Sequence, residues 1–441
     1  MRGLFRFALP ALLALSAAGQ ASPVLMISLD GLRPADIIEA EARGIAAPRL
    51  RALMREGAYA DGVVGVLPSL TYPSHVTLLT GVAPAVHGIA NNLSFDPLNH
   101  NQMGWTWYSQ DIKVPTLWQA AHRAGLRTAN VHWPVSVGAE GVDYNLPQIW
   151  RTGEPDDRKL LAALATPGLL PPLEAALGAY PLGIDESVDG DAARVRFAAR
   201  LLAERKPDFM TVYLAGIDHV EHHDGPDSAA AKAAIARTDG LVGALIDAAR
   251  AARPDTTIVI VSDHGFAPVT TDVNLFAPFI AAGLIQIGAD GKPTDWLAEP
   301  WIAGGTAAIR LKHPDDAALV ARVRALLETM RATPALGIDR VLDAAEIRAA
   351  GGPAEASFLI ALKPGYETGT DPAAPPARPS VLRGMHGYSP DLPAMRATLI
   401  VAGPGVHRHG ALGLVDMRAI APSVARILGA PMPDAKIAPA F

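Results

Sequence analysis

The chain alternates short, uninterrupted apolar runs with longer stretches whose apolar residues recur every three or four positions. Residues 24–29 (VLMISL), 209–214 (FMTVYL), 256–261 (TTIVIV) and 397–401 (ATLIV) are apolar along most of their length, and 128–133 (TANVHW) also reads as a strand. Such runs predict strands covered on both faces. Helical spacing is read over 37–42, 49–56, 115–124, 191–204, 228–252 and 417–428. Strands alternating with helices predict an α/β layered sheet with right-handed crossovers and helices on both faces. Between 266 and 383 the rhythm changes. A strand at 306–311, a helix at 315–331 and a strand at 357–362 predict a small α+β insertion, a cap over 267–383. The Pro- and Gly-rich stretch 363–379 (KPGYETGTDPAAPPARP) reads as an irregular return loop. No internal repeat is found.

Residues 1–21 stand apart from this pattern. Arg2 and Arg6 precede the apolar run 7–18 (FALPALLALSAA), and Ala18 or Ala21 offers a small residue for cleavage. This is the layout of a secretory signal peptide, and the run is short for a membrane span. The mature chain, 22–441, is therefore expected to be secreted or periplasmic, with no stable membrane insertion after the signal is removed. A net charge of −6 and the lack of a long basic run argue against a nucleic acid polymer as partner. The absence of cysteine excludes disulfides and thiolate metal sites, so any metal must be held by histidine and carboxylate.

Three of the apolar runs lead into an aspartate: Asp30, Asp218 and Asp263. Ligands of open α/β sheets bind at the carboxyl ends of strands, so these three can meet on one rim. Each alone could equally be a helix cap or turn residue. Asp218 and His222 are four apart, one helical turn on one face, and Asp263-His264 ends a strand abruptly. His386 sits between Gly384 and Gly387, which lets backbone approach a ligand closely. Of the other histidines, His75, His87, His132 and His219 read as packing or supporting residues. His100, His122, His313, His407 and His409 read as surface. In residues 67–81 (LPSLTYPSHVTLLTG), Thr71 lies on a stiff loop between Pro68 and Pro73, with a helix expected from Ser74 or His75. A hydroxyl there is either a helix cap or a nucleophile beside free N–H groups that suit an anion.

Together, Thr71-Tyr72-Pro73-x-His75, Thr80-Gly81, His87-Gly88-Ile89 and Asn92 resemble the nucleotide pyrophosphatase/phosphodiesterase branch of the alkaline phosphatase superfamily. So do Asp218-x-x-x-His222-x-x-Gly225-Pro226, Ser262-Asp263-His264-Gly265 and Gly384-x-His386-Gly387. The resemblance implies an alkaline-phosphatase-like fold and two zinc ions. One would be held by Asp218, His222 and His386, the other by Asp30, Asp263, His264 and the Thr71 oxygen. It implies that Thr71 is the nucleophile, forming a phosphothreonine intermediate, and that Asn92 binds a non-bridging phosphoryl oxygen with the Thr71 N–H. Tyr72 matches an aromatic position where a leaving portion can stack, and Tyr213 a site-lining tyrosine; either could equally be core packing. The chain departs from the animal enzymes in carrying Ile217 before Asp218 and Glu221 before His222, which puts the local turn in doubt.

The expected activity is an exported two-zinc phosphodiesterase or nucleotide pyrophosphatase acting on a small phosphodiester or nucleotide. A phosphomonoesterase, a phospholipid-headgroup diesterase or a phosphonate hydrolase would keep the metals and change the substrate. Related monoesterases carry a Ser-x-Lys-x-Arg segment after the Asn. The comparable region here, 133–138 (WPVSVG), has no Lys/Arg pair, which favours diesters. An exported metal-binding protein without turnover would need the ligands but neither Thr71 nor Asn92.

Overall fold

The computed structural model describes residues 21–101 and 104–441. All of the expected signal peptide except Ala21 lies outside them. Strands Thr257–Val261, Val24–Leu29, Phe209–Leu214, Thr128–Val131 and Tyr144–Leu146 run parallel, in that order, within an eight-stranded sheet that has Tyr144–Leu146 at one edge. Leu399–Ala402 pairs antiparallel with Thr257–Val261 and extends the sheet to Ala58–Tyr59 and Gly410–Ala411.

The apolar runs explain why this sheet is internal. In Val24–Leu29, Leu25, Ile27 and Leu29 enter one core and Val24 and Met26 the other. One face packs against Phe197 and Leu201 of helix Val188–Arg205 and Val242 and Leu245 of helix Ala229–Ala252. The other packs against Leu78 and Leu79 of helix Thr71–Thr80, Trp118 of Leu117–Arg123 and Val424 of Ile420–Leu428. Alternation of side chains along a strand supplies both contacts, so each run must be apolar throughout.

Residues 267–383 build three smaller sheets, one of them the two-stranded pair Ile285–Ile287 and Pro293–Trp296. Strands Ala298–Ala303, Thr306–Leu311, Phe358–Leu362 and Ile338–Asp343 form an antiparallel sheet covered by helix Ala317–Arg331. The stretch expected as an irregular loop instead carries strands Gly365–Thr368 and Ala377–Pro379, both paired with Ala267–Val273. Ala267–Val273 offers hydrogen-bonding edges on both sides, which tertiary pairing fills despite the poor strand propensity of these segments. Gly384–Met385 pairs with the start of the same strand and delivers the chain to His386. Among the described residues, no helix is long and apolar enough to cross a membrane.

Candidate metal and nucleophile site

Register brings the site together. Val24–Leu29 pairs with Phe209–Leu214 from Val24↔Phe209 to Leu29↔Leu214, and with Thr257–Val261 through Ser28↔Val261. The three strands therefore end level, and Asp30, the segment 215–218 and Asp263-His264 emerge at one rim. Asp218 is not at a strand end as such. It lies in the first turn of helix Gly216–Asp224, which places His222 one turn further on, with Nε2 3.4 Å from Asp218 Oδ2. Buried Asp191 accepts the Ala215 and Gly216 N–H groups and anchors that helix start.

Helix Thr71–Thr80 begins at Thr71 itself, three residues before Ser74. Pro73 falls in the first turn, where a missing N–H costs nothing, so the proline does not delay the helix. Thr71 is thus the first helical residue and is 8% exposed, with Oγ1 3.5 Å from His264 Nε2. Asn92 Oδ1 accepts the Tyr72 N–H at 2.9 Å, which leaves the Asn92 amide N–H groups as donors. The Ser69 carbonyl accepts from both Gly387 N–H and His386 Nδ1, tying the Thr71 loop to the histidine loop. Gly387 lies at φ +81°, and a Cβ there would fall 2.0 Å from the Ala303 carbonyl, so only glycine fits.

Each of the three central histidines points Nδ1 at a backbone carbonyl: His222 at Gly384 (3.0 Å), His264 at Gly265 (3.2 Å) and His386 at Ser69 (3.3 Å). A carbonyl only accepts, so Nδ1 carries the proton and Nε2 presents a lone pair. Those lone pairs face carboxylates. His264 Nε2 is 3.3 Å from Asp30 Oδ1 and 3.2 Å from Asp263 Oδ2, and His386 Nε2 is 3.6 Å from Asp218 Oδ1. Asp30 Oδ1, Asp218 Oδ1 and Asp263 Oδ2 are buried and have no hydrogen-bond partner. The ligand atoms of Asp30, Asp263 and His264 form one group, and those of Asp218, His264 and His386 another, each within 4.8 Å. His264 lies in both.

Buried lone pairs set against buried carboxylate oxygens need positive charge between them. Burial pushes Asp30 and Asp218 well above the usual carboxylate range and Asp263 up to about 7. It pushes His222 down to about 4, and His264 and His386 well below the usual imidazole range. All-nitrogen-and-oxygen donor sets of this kind fit divalent cations. Among the described residues, the ion pairs of Asp30, Asp218 and Asp263 are all with histidines. Lys312 pairs with Asp295 on the insertion surface, and Lys292 and Lys363 are exposed.

Tyr213 does not face the site opening. It is 1% exposed and its hydroxyl donates to Asp30 Oδ2, so it orients a carboxylate. Tyr72 is also 1% exposed; its ring lies against Trp105, centroids 5.3 Å apart, and Trp105 against Trp150 at 4.5 Å. His75 donates Nδ1–H to the Thr71 carbonyl (2.7 Å) and accepts from Ser28 at Nε2 (2.8 Å), a neutral strut pushed down to about 3 by burial. His87 bonds Thr77 within the same packing, whereas both ring nitrogens of buried His132 lack partners. Trp105, Trp150 and Glu186 are the residues that motif reading missed. Glu186, pushed up to about 7 by burial, acts electrostatically on Asp30, Tyr72, Tyr213 and Asp218. None of the three belongs to a local pattern; only the fold gathers them.

The family model for type I phosphodiesterase / nucleotide pyrophosphatase matches residues 24–389. The chain belongs to this family. A human relative, ectonucleotide pyrophosphatase/phosphodiesterase family member 1, is 26% identical over 254 residues, 55% of this chain and 23% of its own length. An uncharacterised pyrophosphatase/phosphodiesterase of Schizosaccharomyces pombe is 27% identical over 260 residues, covering 56% of this chain and 46% of its own. The chain thus spans from about a quarter to a half of these relatives. Among solved structures, murine ectonucleotide pyrophosphatase/phosphodiesterase 5 matches with a TM-score of 0.65 and 18% identity, covering 93% of this chain and 96% of that one. The human counterpart matches with a TM-score of 0.65 and 19% identity, covering 93% and 95%. The same murine protein, as an inactive Thr-to-Ala variant, is also known in complex with AMP. These likenesses show the fold, the alkaline-phosphatase-like layered sheet.

Proposed function

We propose that this protein is an exported hydrolase of small phosphodiesters or nucleotide pyrophosphate bonds, working through a covalent intermediate on Thr71 with two divalent ions, zinc, as cofactors. The observation that carries the reading is the meeting of Thr71 Oγ1 with His264 and the unpartnered oxygens of Asp30, Asp218 and Asp263 at one buried rim. Asp218, His222 and His386 would hold one ion, and Asp30, Asp263, His264 and the Thr71 oxygen the other. The ions would supply the positive charge this donor set lacks and lower the proton affinity of the Thr71 hydroxyl.

Thr71 Oγ1 attacks phosphorus in line with the departing ester oxygen. The new P–O bond forms as the old one breaks, and the leaving alcohol takes up the proton lost by Thr71. For a diester, Thr71 then carries a phosphoryl group that retains one ester arm. Water displaces Thr71 in a second in-line step, returning a proton to its oxygen. The Thr71 N–H at the helix start would bind a phosphoryl oxygen, and the Asn92 amide, its Oδ1 already accepting from the Tyr72 N–H, would donate to the same oxygens. Tyr213 holds Asp30, and His75 fixes the Thr71 backbone. With Tyr72 covered, an ester arm or base meets Trp105 and Trp150 rather than the Tyr72 face. The AMP complex of the murine relative supports a nucleotide as one such arm. The export part of the proposal rests on the leader pattern of residues 1–21.

Diesters are favoured because, among the described residues, no lysine or arginine pairs with the site carboxylates, and a monoester carries about one more negative charge than a diester. Under matched zinc, kcat/KM for bis-p-nitrophenyl phosphate should exceed that for p-nitrophenyl phosphate at least about tenfold, and chelator should abolish both. Equal or reversed preference would overturn the diesterase assignment. Retention of ligands and metals without turnover would leave a metal-binding protein.

A further inference from the structure

The residues on either side of Asn92 are held by the inserted cap rather than by the main sheet. Asn91 Nδ2 donates to the Ile302 carbonyl at 2.9 Å, and Trp301 Nε1 donates to the Leu93 carbonyl at 3.0 Å. Both partners lie on the cap strand Ala298–Ala303. Phe95 follows and packs edge-on against Trp296 and Trp301, with centroids at 5.2 and 5.9 Å. The Arg310 guanidinium, on the neighbouring cap strand, lies 4.4 Å over the Phe95 ring and 5.8 Å over Trp301. Asn92 itself spans from this contact to the nucleophile helix, through its Oδ1 and the Tyr72 N–H.

From this bracketing we infer that the cap strand Ala298–Ala303, through Trp301 and Ile302, positions the Asn92 amide for the phosphoryl oxygens. The inference rests on the role proposed for Asn92 above. A donor acts on developing charge only when its placement is fixed before reaction, and a site held to within about 0.5 Å depends on the supporting contacts. Asn92 sits in a loop with one side-chain bond toward the helix and a backbone bond from the Thr106 N–H to its own carbonyl at 2.9 Å; its two neighbours add the contacts that reach the cap. Trp301 and Asn91 are therefore positioning residues. Arg310 and Phe95 give the contact its packing, through cation–π and aromatic faces. The insertion, remote in sequence from Asn92, becomes part of the apparatus that holds the substrate oxygen.

A double-mutant cycle on the zinc-loaded full chain tests this, with bis-p-nitrophenyl phosphate as substrate. Trp301→Ala and Asn91→Ala should each lower kcat about tenfold, with KM and bound metal unchanged, since removing such a donor outright costs about 10²–10³. Trp301→Phe keeps the ring against Phe95 but loses the N–H, and should fall between; it carries the test if Trp301→Ala does not fold. On an Asn92→Ala background, each change should cost less than about twofold, because the donor they position is gone. Native kcat in both Trp301→Phe and Asn91→Ala, or an undiminished penalty on the Asn92→Ala background, overturns the inference alone. Native kcat in Asn92→Ala overturns the role of Asn92 and this inference with it.

Discussion

Thr71 Oγ1 lies 3.5 Å from Nε2 of His264, a nitrogen whose lone pair also faces Asp30 and Asp263. A hydroxyl at that point is not the cap of its helix, since no side chain caps the helix and Thr71 is its first residue. Its placement suits a nucleophile. Thr71→Ala should lose at least about 10³-fold in kcat/KM on diesters while keeping its metal content and melting temperature. Thr71→Ser should retain part of the rate. Near-native turnover in Thr71→Ala would show that the hydroxyl does not react.

The six Asp and His side chains at the rim, with the Thr71 oxygen, should bind two divalent ions per chain. Elemental analysis of dialysed protein should find two zinc equivalents. Asp218→Asn and Asp263→Asn should each reduce that number, and chelation should lower both activity and stability. One metal at full activity would contradict the paired site.

Tyr213 gives a subtler case. Its hydroxyl donates to Asp30 Oδ2 and touches no open surface, so it acts by orienting a carboxylate. Tyr213→Phe should fold, and should weaken zinc affinity or activity by about 10–100-fold, the usual effect of losing such an outer partner. Excess zinc should recover most of an affinity loss. Unchanged zinc titration and unchanged kcat would contradict an orienting role.

Glu299 provides a pH dependence away from the metals. Burial, reinforced by Asp96, pushes its carboxyl up to about 8 from an ordinary 4.5. Between those values the folded chain holds a proton that the unfolded chain has released. The contribution of this group to the unfolding free energy therefore falls as pH rises from about 4.5 to about 8. Glu299→Gln should remove that fall, so the variant gains on the native chain in urea unfolding at pH 8 relative to pH 5. Parallel pH profiles for the two proteins would contradict the assignment.

The central strands were readable from sequence because burial on both faces forces continuous apolar runs; 24–29 and 209–214 coincide with the observed strands. The sequence sets the helix start at Ser74 or His75, after the stiff loop of Pro68 and Pro73, whereas Pro73 fits the first turn of a helix that starts at Thr71. Strands Gly365–Thr368 and Ala377–Pro379 were hidden because their pairing comes from Ala267–Val273, about a hundred residues away, and not from their own composition. The Asp and His residues that meet at the rim could be read because they follow apolar runs at fixed local spacing, Asp218 four before His222 and Asp263 next to His264. Trp105 covering Tyr72, the Ser69 carbonyl under His386, and the cap's hold on Asn91 and Leu93 had no such signal. They depend on contacts between segments whose separation in the chain carries no pattern.

Attack by Thr71 and direct attack by water differ in whether the enzyme becomes covalently modified. Rapid acid quenching of the zinc-loaded protein turning over bis-p-nitrophenyl phosphate, followed by mass spectrometry of its peptides, examines it directly. The expected result is a p-nitrophenyl phosphoryl group on Thr71, formed with a burst of p-nitrophenol and absent from Thr71→Ala. Steady turnover with no burst, no adduct on Thr71 and an active Thr71→Ala would show that water, not Thr71, attacks phosphorus.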